Sequence, residues 1–573
     1  MDAINNRTPF RKWKPIEIML AVLFLVAPFY YHPNIGGEGL RIPNNITVWM
    51  IATIIIGYSL HLVLKRPTFV IPKYFAYIAA FPILITLSGF VTGVEQPLKW
   101  LFRLLFIWGG LAFFFSLFQH RLKQGRLDRI LFVIVVSALL QGLVGVAQIW
   151  LQTDMPFWLP KSSNGAPSGL FQQINNQATY QVTGIMIVAY LITRPFIRFA
   201  KPWLKSFLIL SVLCASFLVA VSGSRIGALT LILGLLIIIP SQWQRFKKNK
   251  KIAFIAIAAL VTGISVGIIQ GNSRVIDKTV AMQSGYSSSA RLSIYNIAVG
   301  LIKEQPIFGH GIGSFGREFQ FARPDFYAEH PDAVLPNQYV SHPHNEVMFW
   351  LVEGGLIAGV GLLAVVIGVI LAVKQLGWRR GGAYITMLLP VGLHTQVELP
   401  LSASGYHWFL LLTLFVMVSQ HQISIKTKTI TASLTRLINA MMVIVAIIFL
   451  VFFTHTLRAQ HDFIEFYQKL NLEKPAFPYA LNNPYLAVEG RWLMMSEYLY
   501  SSMNLVLQNN VEQYTVWGQQ RLIVKPTVEL YVKLVDAYRF LDNKEAYCVT
   551  AEQGIAMYPQ AEPLKLAQNF CQY

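Results

Sequence analysis

Two arginines in this 573-residue chain lie in short motifs that suit the binding of phosphate. Arg225 lies in Val-Ser-Gly-Ser-Arg-Ile-Gly between two long apolar runs, and Arg291 lies in Ser-Ala-Arg-Leu-Ser-Ile-Tyr295. Arginine holds phosphate oxygens through paired hydrogen bonds and balances the charge on a departing pyrophosphate. The two motifs therefore predict a site for a phosphorylated ligand. For Arg225 alone, a snorkelling anchor at a helix end is the alternative.

Histidines and carboxylates form a second group of candidates. His342 and His344 lie in Ser-His-Pro-His-Asn345-Glu, and His394 precedes Glu398 by four residues. A neutral imidazole can take a proton from an attacking hydroxyl. Glu353 and Glu398 are carboxylates within or at the edge of apolar runs, where charged groups are costly and are therefore functional candidates. The His-x-His pair has no Cys, Asp or Glu at metal-ligand spacing, so we expect no metal and no cofactor.

Amide side chains, a glycine-rich run and further basic residues complete the candidates. Gln172, Asn175 and Asn176 can bind sugar hydroxyls or cap the helix that follows. The run Pro306-Ile-Phe-Gly-His-Gly-Ile-Gly313 can bring backbone N–H groups close to an anion. The remaining bases nearby are expected to snorkel or to be solvated. They are Lys99, Arg103, Arg317 and Arg323.

The elements that must position these residues are membrane helices. Hydrophobic residues make up 54% of the chain, charged residues 13%, and mean hydropathy is +0.49. A spanning helix needs about 20 apolar residues, and the sequence predicts thirteen of them. They lie near 16–31, 47–64, 74–92, 98–118, 130–152, 178–193, 206–222, 226–240, 252–270, 346–373, 382–398, 406–420 and 437–453. We therefore predict an all-α polytopic membrane protein.

The formal net charge of +20 predicts the orientation of these helices. With a cytoplasmic N-terminus, the seven inside segments hold 26 Lys and Arg against 3 Asp and Glu, counting Glu17 at the edge of the first span. Positive residues flank the cytoplasmic ends of spans, so the basic excess indicates topology and no nucleic-acid partner. The C-terminus and nearly all the candidate residues are then outside.

The predicted topology leaves two large outer segments, a loop over 271–345 and a tail over 454–573. We predict a transmembrane domain over 1–453 and a separate helical domain over 454–573. Apolar residues at 3–4 spacing predict tail helices over 530–541 and 544–557. Cys548 and Cys571 both lie in the tail and could pair in an oxidising compartment. Three cysteines in all exclude a disulfide scaffold and a Cys-based metal site.

The motifs resemble those of the O-antigen ligase and polymerase superfamily. Ser-Gly-Ser-Arg225, Ala-Arg291-x-x-x-Tyr295, the glycine run and His-Pro-His344-Asn come in that superfamily's order. Within it, His394-x-x-x-Glu398-x-Pro-Leu and His32-Pro in the first outer loop look like bacterial O-linked protein oligosaccharyltransferases, the PglL-like and pilin-glycosylating enzymes. The resemblance covers about 16–453, and Pro343 between the two histidines departs from the pattern.

This resemblance implies a metal-independent transfer of glycan from undecaprenyl pyrophosphate to a serine or threonine of a periplasmic, pilin-like protein. The enzyme would lie in the bacterial inner membrane, surrounded by lipid, with its active site facing the periplasm. Carried over by motif, His344 would activate or orient the acceptor hydroxyl, and Arg225 and Arg291 would bind pyrophosphate. The remaining motif residues would support them. These are His342, Asn345, Tyr295, Glu353, His394 and Glu398.

Other functions remain open at this point. A ligase that uses lipid A-core as acceptor and an O-antigen polymerase would use the same donor and the same arginines. A transporter of lipid-linked substrates is a different class, but the halves show no internal repeat and the polar candidates collect at one edge. A non-catalytic assembly or anchoring protein would not need Arg225 or the His344 motif.

Overall fold

The computed structural model describes residues 13–94, 96–283, 286–427, 431–468 and 477–571, without side chains for 272–289. The described chain is almost entirely helical. Its α-helices are α1 Pro15–Leu25, α2 Pro43–Lys65, α3 Phe75–Thr92, α4 Pro97–Phe118, α5 Gln124–Leu151, α6 Ile174–Ile192, α7 Pro195–Arg198, α8 Pro202–Val221, α9 Arg225–Lys248, α10 Lys250–Gln283, α11 Tyr286–Glu304, α12 Phe315–Phe321, α13 Arg323–Glu329, α14 Glu346–Lys374, α15 Gly377–His394, α16 Pro400–Ala403, α17 Gly405–Ser419, α18 Ala432–Gln468, α19 Ala487–Asn504, α20 Gln508–Val524, α21 Val528–Phe540, α22 Lys544–Met557 and α23 Glu562–Cys571.

A helix occupies each of the thirteen apolar segments that hydropathy selects. Among the described residues, nine helices are long and apolar enough to cross a membrane, and α1 and α17 are shorter apolar helices. Helices α6 and α15 carry more polar residues, including the Asn and Gln at the start of α6. The all-α polytopic class is thus supported, while the number of crossings and their direction stay predictions.

The apolar run over 206–240 is two helices, as its sequence predicts. Helix α8 ends at Val221, Gly223 turns the chain with a φ of 60°, and α9 begins at Arg225. Ser224 caps α9, because its hydroxyl accepts the Gly227 N–H at 3.2 Å. Arg225 is therefore the first residue of a helix, and its side chain is exposed.

One small sheet was not predicted. Strand β1, Thr68–Pro72, pairs antiparallel with β2, Ile423–Thr427, so that Thr68 lies opposite Thr427. The side chain of Gln119 pairs with the main chain of Val70, donating to its carbonyl and accepting from its N–H. An amide in this position continues the ladder that a third strand would otherwise supply.

The described chain forms two compact units. The first comprises 1–80, 106–279 and 363–464. Helix α6 is buried along nearly its whole length in this unit, and its apolar residues belong to one large core with residues of α1, α5, α9 and α17. A helix surrounded in this way can carry polar residues at its start, provided that they find hydrogen-bond partners within the unit.

The second unit comprises 81–105, 280–362 and 465–573. Its tail consists of α19 to α23, and α20, α21 and α22 contribute Tyr514, Leu530, Leu534 and Met557 to a shared core. Helices α21 and α22 confirm the two that the apolar spacing predicts. Cys548 and Cys571 form a disulfide. The predicted domain boundary at 453 falls inside α18, and the compact unit that contains most of the tail also contains most of the long loop.

Candidate functional site

Glu398 is the centre of a hydrogen-bond network in the first unit. Its carboxylate accepts from Gln173 Nε2 at 2.6 Å, from Asn175 Nδ2 at 2.8 Å and from His394 Nε2 at 3.1 Å. His394 is fully buried, and its Nδ1 lies 3.0 Å from the Thr179 hydroxyl. With Nε2–H donating to Glu398, a neutral His394 accepts from Thr179, so both ring nitrogens have a fixed partner.

The network reaches the residue before Arg225. Asn175 donates to Glu398, and its Oδ1 accepts from the Ser224 hydroxyl at 2.8 Å. Ser224 in turn caps α9 at Arg225. A cation at a helix N-terminus opposes the helix dipole, so Arg225 is placed where it adds to a positive potential instead of offsetting a negative one. Three motifs that are far apart in sequence thus meet in one hydrogen-bond network.

The amides of the 172–176 segment differ in their roles. Asn175 and Asn176 lie in the first turn of α6, and Gln172 precedes it with a φ of 55°. Asn176 is 1% exposed, and neither polar atom of its side chain has a hydrogen-bond partner among the described residues; the same is true of Gln172 Nε2. Asn175 is among the residues that the sequence selects, whereas its neighbour Gln173, which also donates to Glu398, is not. The repeated amides in Gln-Gln-Ile-Asn-Asn could have indicated Gln173.

His342 and His344 lie together in the second unit. Their rings meet edge to face with centroids 4.5 Å apart, and the His344 N–H donates to His342 Nδ1 at 3.2 Å. His344 has a φ of 53°, which is uncommon for a residue with a side chain. Because His342 Nδ1 is an acceptor here, a neutral His342 carries its hydrogen on Nε2. His342 thus helps to hold the backbone that presents His344.

Asn345 caps the helix that follows. Its side-chain oxygen accepts the Met348 N–H at 2.9 Å at the start of α14. In the next turn, the Trp350 indole N–H donates to Glu346 Oε2 at 3.2 Å. Asn345 therefore has a structural role, which fixes where the loop with the two histidines ends and the helix begins.

The backbone N–H groups of the glycine run donate to α14, where they meet two carbonyls and one carboxylate. The N–H groups of His310 and Gly311 donate to the carbonyls of Val352 and Glu353, at 2.9 and 3.0 Å. The backbones of Gly313 and Phe315 donate to the Glu353 carboxylate. These donors are taken up by α14, whose helical geometry breaks at Gly355 and leaves its carbonyls open to them. The run is a clamp on the broken helix.

Glu353 is 1% exposed, and its Oε2 has no hydrogen-bond partner among the described residues. Lys99 and Arg103 are close enough to attract its charge. Arg103 does not simply snorkel, because its guanidinium stacks 4.4 Å from the centre of the Phe349 ring. No local motif indicates this contact, since Arg103 and Phe349 are about 250 positions apart.

Arg291 and Tyr295 lie on α11, which begins at Tyr286. Both side chains are half-buried, and Ala298 on the same face is fully buried. His310 fixes the glycine run to this helix, because its Nε2 lies 2.8 Å from the Leu301 carbonyl. Arg291 therefore lies on a helix that belongs to the same unit as His344.

Arg323 is not solvated, which corrects the expectation from sequence. It is 0% exposed, and its Nη1 donates to Gln320 Oε1 and to the Pro336 carbonyl. Its guanidinium lies 4.4 Å from the centre of the Tyr558 ring, and the single hydrogen of the Tyr558 hydroxyl is shared between Gln320 Oε1, at 3.0 Å, and the Pro526 carbonyl, at 2.8 Å. Burial raises the pKa of Tyr558. Arg317 remains partly exposed and pairs with Glu318 at 3.3 Å.

His32 is the other residue that the resemblance selects. It is buried, donates from Nδ1 to the Pro33 carbonyl at 2.7 Å, and stacks on His461 with centroids 4.6 Å apart. Burial lowers the pKa of His32. Among the residues with described side chains, no three His, Cys, Asp or Glu lie where they could hold a metal ion.

Two segments of the chain match known protein families. Residues 209–363 match the family model described as O-antigen ligase. Residues 383–569 match the one described as virulence factor membrane-bound polymerase, C-terminal. No curated protein matches the chain. The two matches support the superfamily that the motifs resemble, and with it a membrane enzyme of glycosyl transfer.

The matched segments contain the motifs. The O-antigen ligase segment holds Arg225, Arg291, His344 and Glu353, and the polymerase segment holds the His394–Glu398 pair. The second segment also extends through most of the tail, which lies outside the part of the chain where the motifs resemble the superfamily. Arg225, His394 and Glu398 belong to the first compact unit, and Arg291, His344 and Glu353 belong to the second.

Proposed function

We propose that this protein transfers a glycan from undecaprenyl pyrophosphate to a serine or threonine hydroxyl of a periplasmic protein, without a metal. The observation that carries the proposal is the O-antigen ligase match over 209–363, because this one segment contains both arginine motifs and the histidine pair. The Glu398 network, which ends beside Arg225, adds support from geometry.

The proposed step breaks one bond and forms one. The acceptor hydroxyl oxygen bonds to the anomeric carbon of the glycan while the bond from that carbon to the pyrophosphate oxygen breaks. His344 takes the hydroxyl proton or orients the hydroxyl for attack. Arg225 and Arg291 hold the pyrophosphate and balance the negative charge that it gains. The pyrophosphate leaves still attached to the polyprenyl lipid.

A protein acceptor is favoured by the His394–Glu398 motif, which resembles the protein-glycosylating members, and by the helical tail. Stacked helix pairs such as α19 to α23 expose surfaces that can dock another protein. The acceptor distinguishes this function from lipid A-core ligation, which uses the same donor. In the predicted topology, the transfer takes place on the periplasmic side of the inner membrane.

The test uses the purified full-length protein with an undecaprenyl-pyrophosphate glycan and, in separate reactions, a pilin-like protein or lipid A-core. We expect sugar on the protein, with or without EDTA. His344→Ala should abolish transfer, whereas His330→Ala, at an exposed histidine of the same unit, should not. Arg225→Ala and Arg291→Ala should abolish transfer, with exposed Arg491→Ala as control. Sugar on lipid A-core alone would reject the protein acceptor, and an active His344→Ala would reject the mechanism.

A second candidate is glycan polymerisation, which the polymerase match over 383–569 favours specifically. The acceptor would then be the terminal sugar hydroxyl of another lipid-linked glycan, and the same arginines would serve. The reaction with donor alone separates the two functions, because a polymerase would lengthen its glycans without any added protein or lipid A-core.

A further inference from the structure

A groove runs between α20 and α22 in the second unit. Both helices pack against α21. Gln519 of α20 lines two adjoining cavities, one of about 430 Å³ with Ile523 and Ala556, and one of about 260 Å³ with Glu545 and Val549. The cavities therefore follow one another along α20 and α22, which run side by side in the same direction.

The larger cavity is apolar and has the size of a binding pocket. Its walls include Leu522, Tyr531 and Met557, which are buried, and Phe321 and Ile523, which are 41% and 60% exposed. Pockets that bind ligands occupy about 300–1,000 Å³. Exposed apolar side chains at such a cavity gain free energy when another apolar group covers them.

The smaller cavity has a carboxylate in its wall. Glu545 lines it, and Glu552 lies two turns further along the same exposed face of α22. Neither glutamate has an ion pair among the described residues. Lys544 is the only basic residue of α22, and helix geometry places it about 100° around the axis from Glu545. This end of the groove is therefore acidic.

Basic side chains of the neighbouring helices lie away from the groove. Arg521 comes two residues after Gln519 and two before Ile523, so it projects from the opposite side of α20. Three others lie against aromatic rings elsewhere in the unit. They are Lys525 at the Tyr339 ring, Lys533 over the Tyr500 ring and Arg539 at the Phe570 ring.

Two amide side chains lie along the groove. Gln519 Nε2 donates to the Tyr538 hydroxyl at 3.2 Å, which leaves its Oε1 as an acceptor, and Gln553 is exposed in the wall of the larger cavity. An extended polypeptide carries backbone N–H and C=O groups that need partners, and an amide can bind either. Glu545 and Ala556 are 11 positions apart on α22. That is about 16 Å of helix, which about five residues of extended chain would span.

We propose that this groove binds an extended segment of another protein. A bulky apolar side chain of the segment occupies the larger cavity, and a lysine or arginine about five residues away pairs with Glu545. A lipid would leave Glu545 unpaired, and a sugar would leave the apolar cavity unfilled. That the segment belongs to the acceptor protein rests on the proposed function, since the predicted topology places the tail and the acceptor in the same compartment.

The experiment selects peptides on the purified full-length protein in nanodiscs of neutral lipid, from a random library long enough to span the groove. The wild type should enrich peptides with a bulky apolar residue and a lysine or arginine about five positions apart. Ile523→Asp should bind the enriched peptides at least about tenfold more weakly, because the apolar contact is lost. The control is Leu566→Asp, at a leucine of α23 that is 68% exposed, and it should match the wild type.

A charge reversal guards against misfolding. Glu545→Lys should keep the apolar preference but enrich aspartate and glutamate in place of lysine and arginine, which a misfolded tail cannot do. Glu329→Lys, at an exposed glutamate of the same unit, should keep the wild-type preference. The proposal is overturned if the wild type enriches no such pattern, if Glu545→Lys keeps the basic preference, or if Ile523→Asp binds the enriched peptides as the wild type does.

The kinetics of transfer identify the source of the segment. With a pilin-like acceptor, Ile523→Asp should raise the KM for the acceptor about tenfold and leave kcat unchanged, because the groove contains none of the motif residues. An unchanged KM would overturn the acceptor as the source. No transfer by the wild type would instead count against the proposed function, and the peptide selection would still decide whether the groove binds a protein segment.

Discussion

Glu398 shows how one side chain can fix the geometry of three motifs. Its carboxylate accepts from Gln173, Asn175 and His394, and Asn175 continues to the Ser224 cap beside Arg225. In Glu398→Gln, an amide NH₂ would replace one of the two acceptor oxygens and face donors that have no other partner in the network. We expect at least about a tenfold loss of glycan transfer, since a buried donor left unpaired costs about 1–3 kcal/mol.

The measurement for Glu398→Gln is the initial rate of transfer at saturating acceptor, with the melting temperature recorded alongside. Glu329→Gln is the matched control, because Glu329 is exposed and belongs to no motif. A variant that transfers glycan at the wild-type rate would show that the network does not position Arg225.

A pH effect on stability belongs to His120, which lies between α4 and α5. Burial, followed by the charges of Arg66, Lys14 and Arg126, lowers the pKa of His120 to about 4. Between about pH 6.5 and pH 4, this histidine binds a proton in the unfolded chain but not in the folded chain. The folded state therefore loses stability as the pH falls through this range. His120→Gln should flatten this part of the melting temperature profile.

The pH profile is measured by thermal unfolding of purified protein between pH 7.5 and 4.5, with His330→Gln as the control at an exposed histidine. The Ser59 hydroxyl lies 2.8 Å from His120 Nε2, and a Gln side chain can keep that hydrogen bond. Identical profiles for the wild type and His120→Gln would show that other groups govern acid stability.

At the residue scale, the sequence selected candidate side chains but not the side chains that they contact. Residue type and local motif were enough to select Glu398, Asn175 and Arg225 separately. Their connection through Ser224 depends on helix packing between distant segments, which no local pattern contains. The prediction that Arg323 is solvated was wrong for the same reason, because the Tyr558 ring that covers it comes more than 230 positions later. An isolated arginine in a polar loop gives no sign of burial.

Among the elements, the glycine run and the break in α14 depend on each other. Gly309 has a φ of 71°, and a Cβ there would lie 2.6 Å from backbone atoms of Glu353, Gly354 and Gly355. Gly309→Ala must therefore strain the turn and also push α14 away. We expect a loss of more than about 2 kcal/mol of stability, from the left-handed backbone and the overlap together, with loss of transfer because His344 precedes α14.

Gly300→Ala is the matched control for Gly309→Ala. Gly300 lies within α11, and nothing lies within 4 Å of an added Cβ there. Alanine favours a helix interior, so this change should raise stability by about 0.5–1 kcal/mol. Thermal unfolding in detergent compares the two variants, and a Gly309→Ala protein as stable as the wild type would contradict the clamp.

The elements themselves were largely predictable, since every apolar segment of spanning length forms a helix. Hydropathy could not predict where α14 breaks, because Gly355 continues the apolar pattern while its backbone leaves the helical region. Nor could it predict the β1–β2 pair, whose short strands are joined by more than 340 residues and have no periodicity long enough to recognise.

In the second unit as a whole, Arg323 joins the long loop to the tail. A charged side chain with no exposure costs free energy unless hydrogen bonds and ring contacts satisfy it. Tyr558→Leu removes the ring face and the hydroxyl, whereas Tyr558→Phe removes only the hydroxyl. We expect Tyr558→Leu to be the more destabilising, and the double variant with Arg323→Met to recover part of the loss, with a coupling of about 1–2 kcal/mol.

The coupling is measured as a double-mutant cycle on melting temperature, together with limited proteolysis of the loop over 315–340. Faster cleavage of the loop in Tyr558→Leu would show that the tail holds the segment that leads to His342. Additive effects of the Tyr558 and Arg323 changes would show that the Tyr558 ring does not stabilise Arg323. In that case the tail would not support the loop, and docking of an acceptor would be its remaining proposed role.

The charge of the whole molecule makes a prediction about topology that the fold leaves open. With 26 basic residues assigned to the inside segments, Lys248 should be cytoplasmic and Lys303 periplasmic. In a Cys214→Ala background, a membrane-impermeant maleimide added to intact spheroplasts should label Lys303→Cys and not Lys248→Cys. Permeabilisation should expose both, because both positions are exposed on the protein. Cys548 and Cys571 should react only after reduction, since their disulfide requires an oxidising compartment. The reverse labelling pattern would place the basic segments outside and remove the periplasmic site from the proposed function.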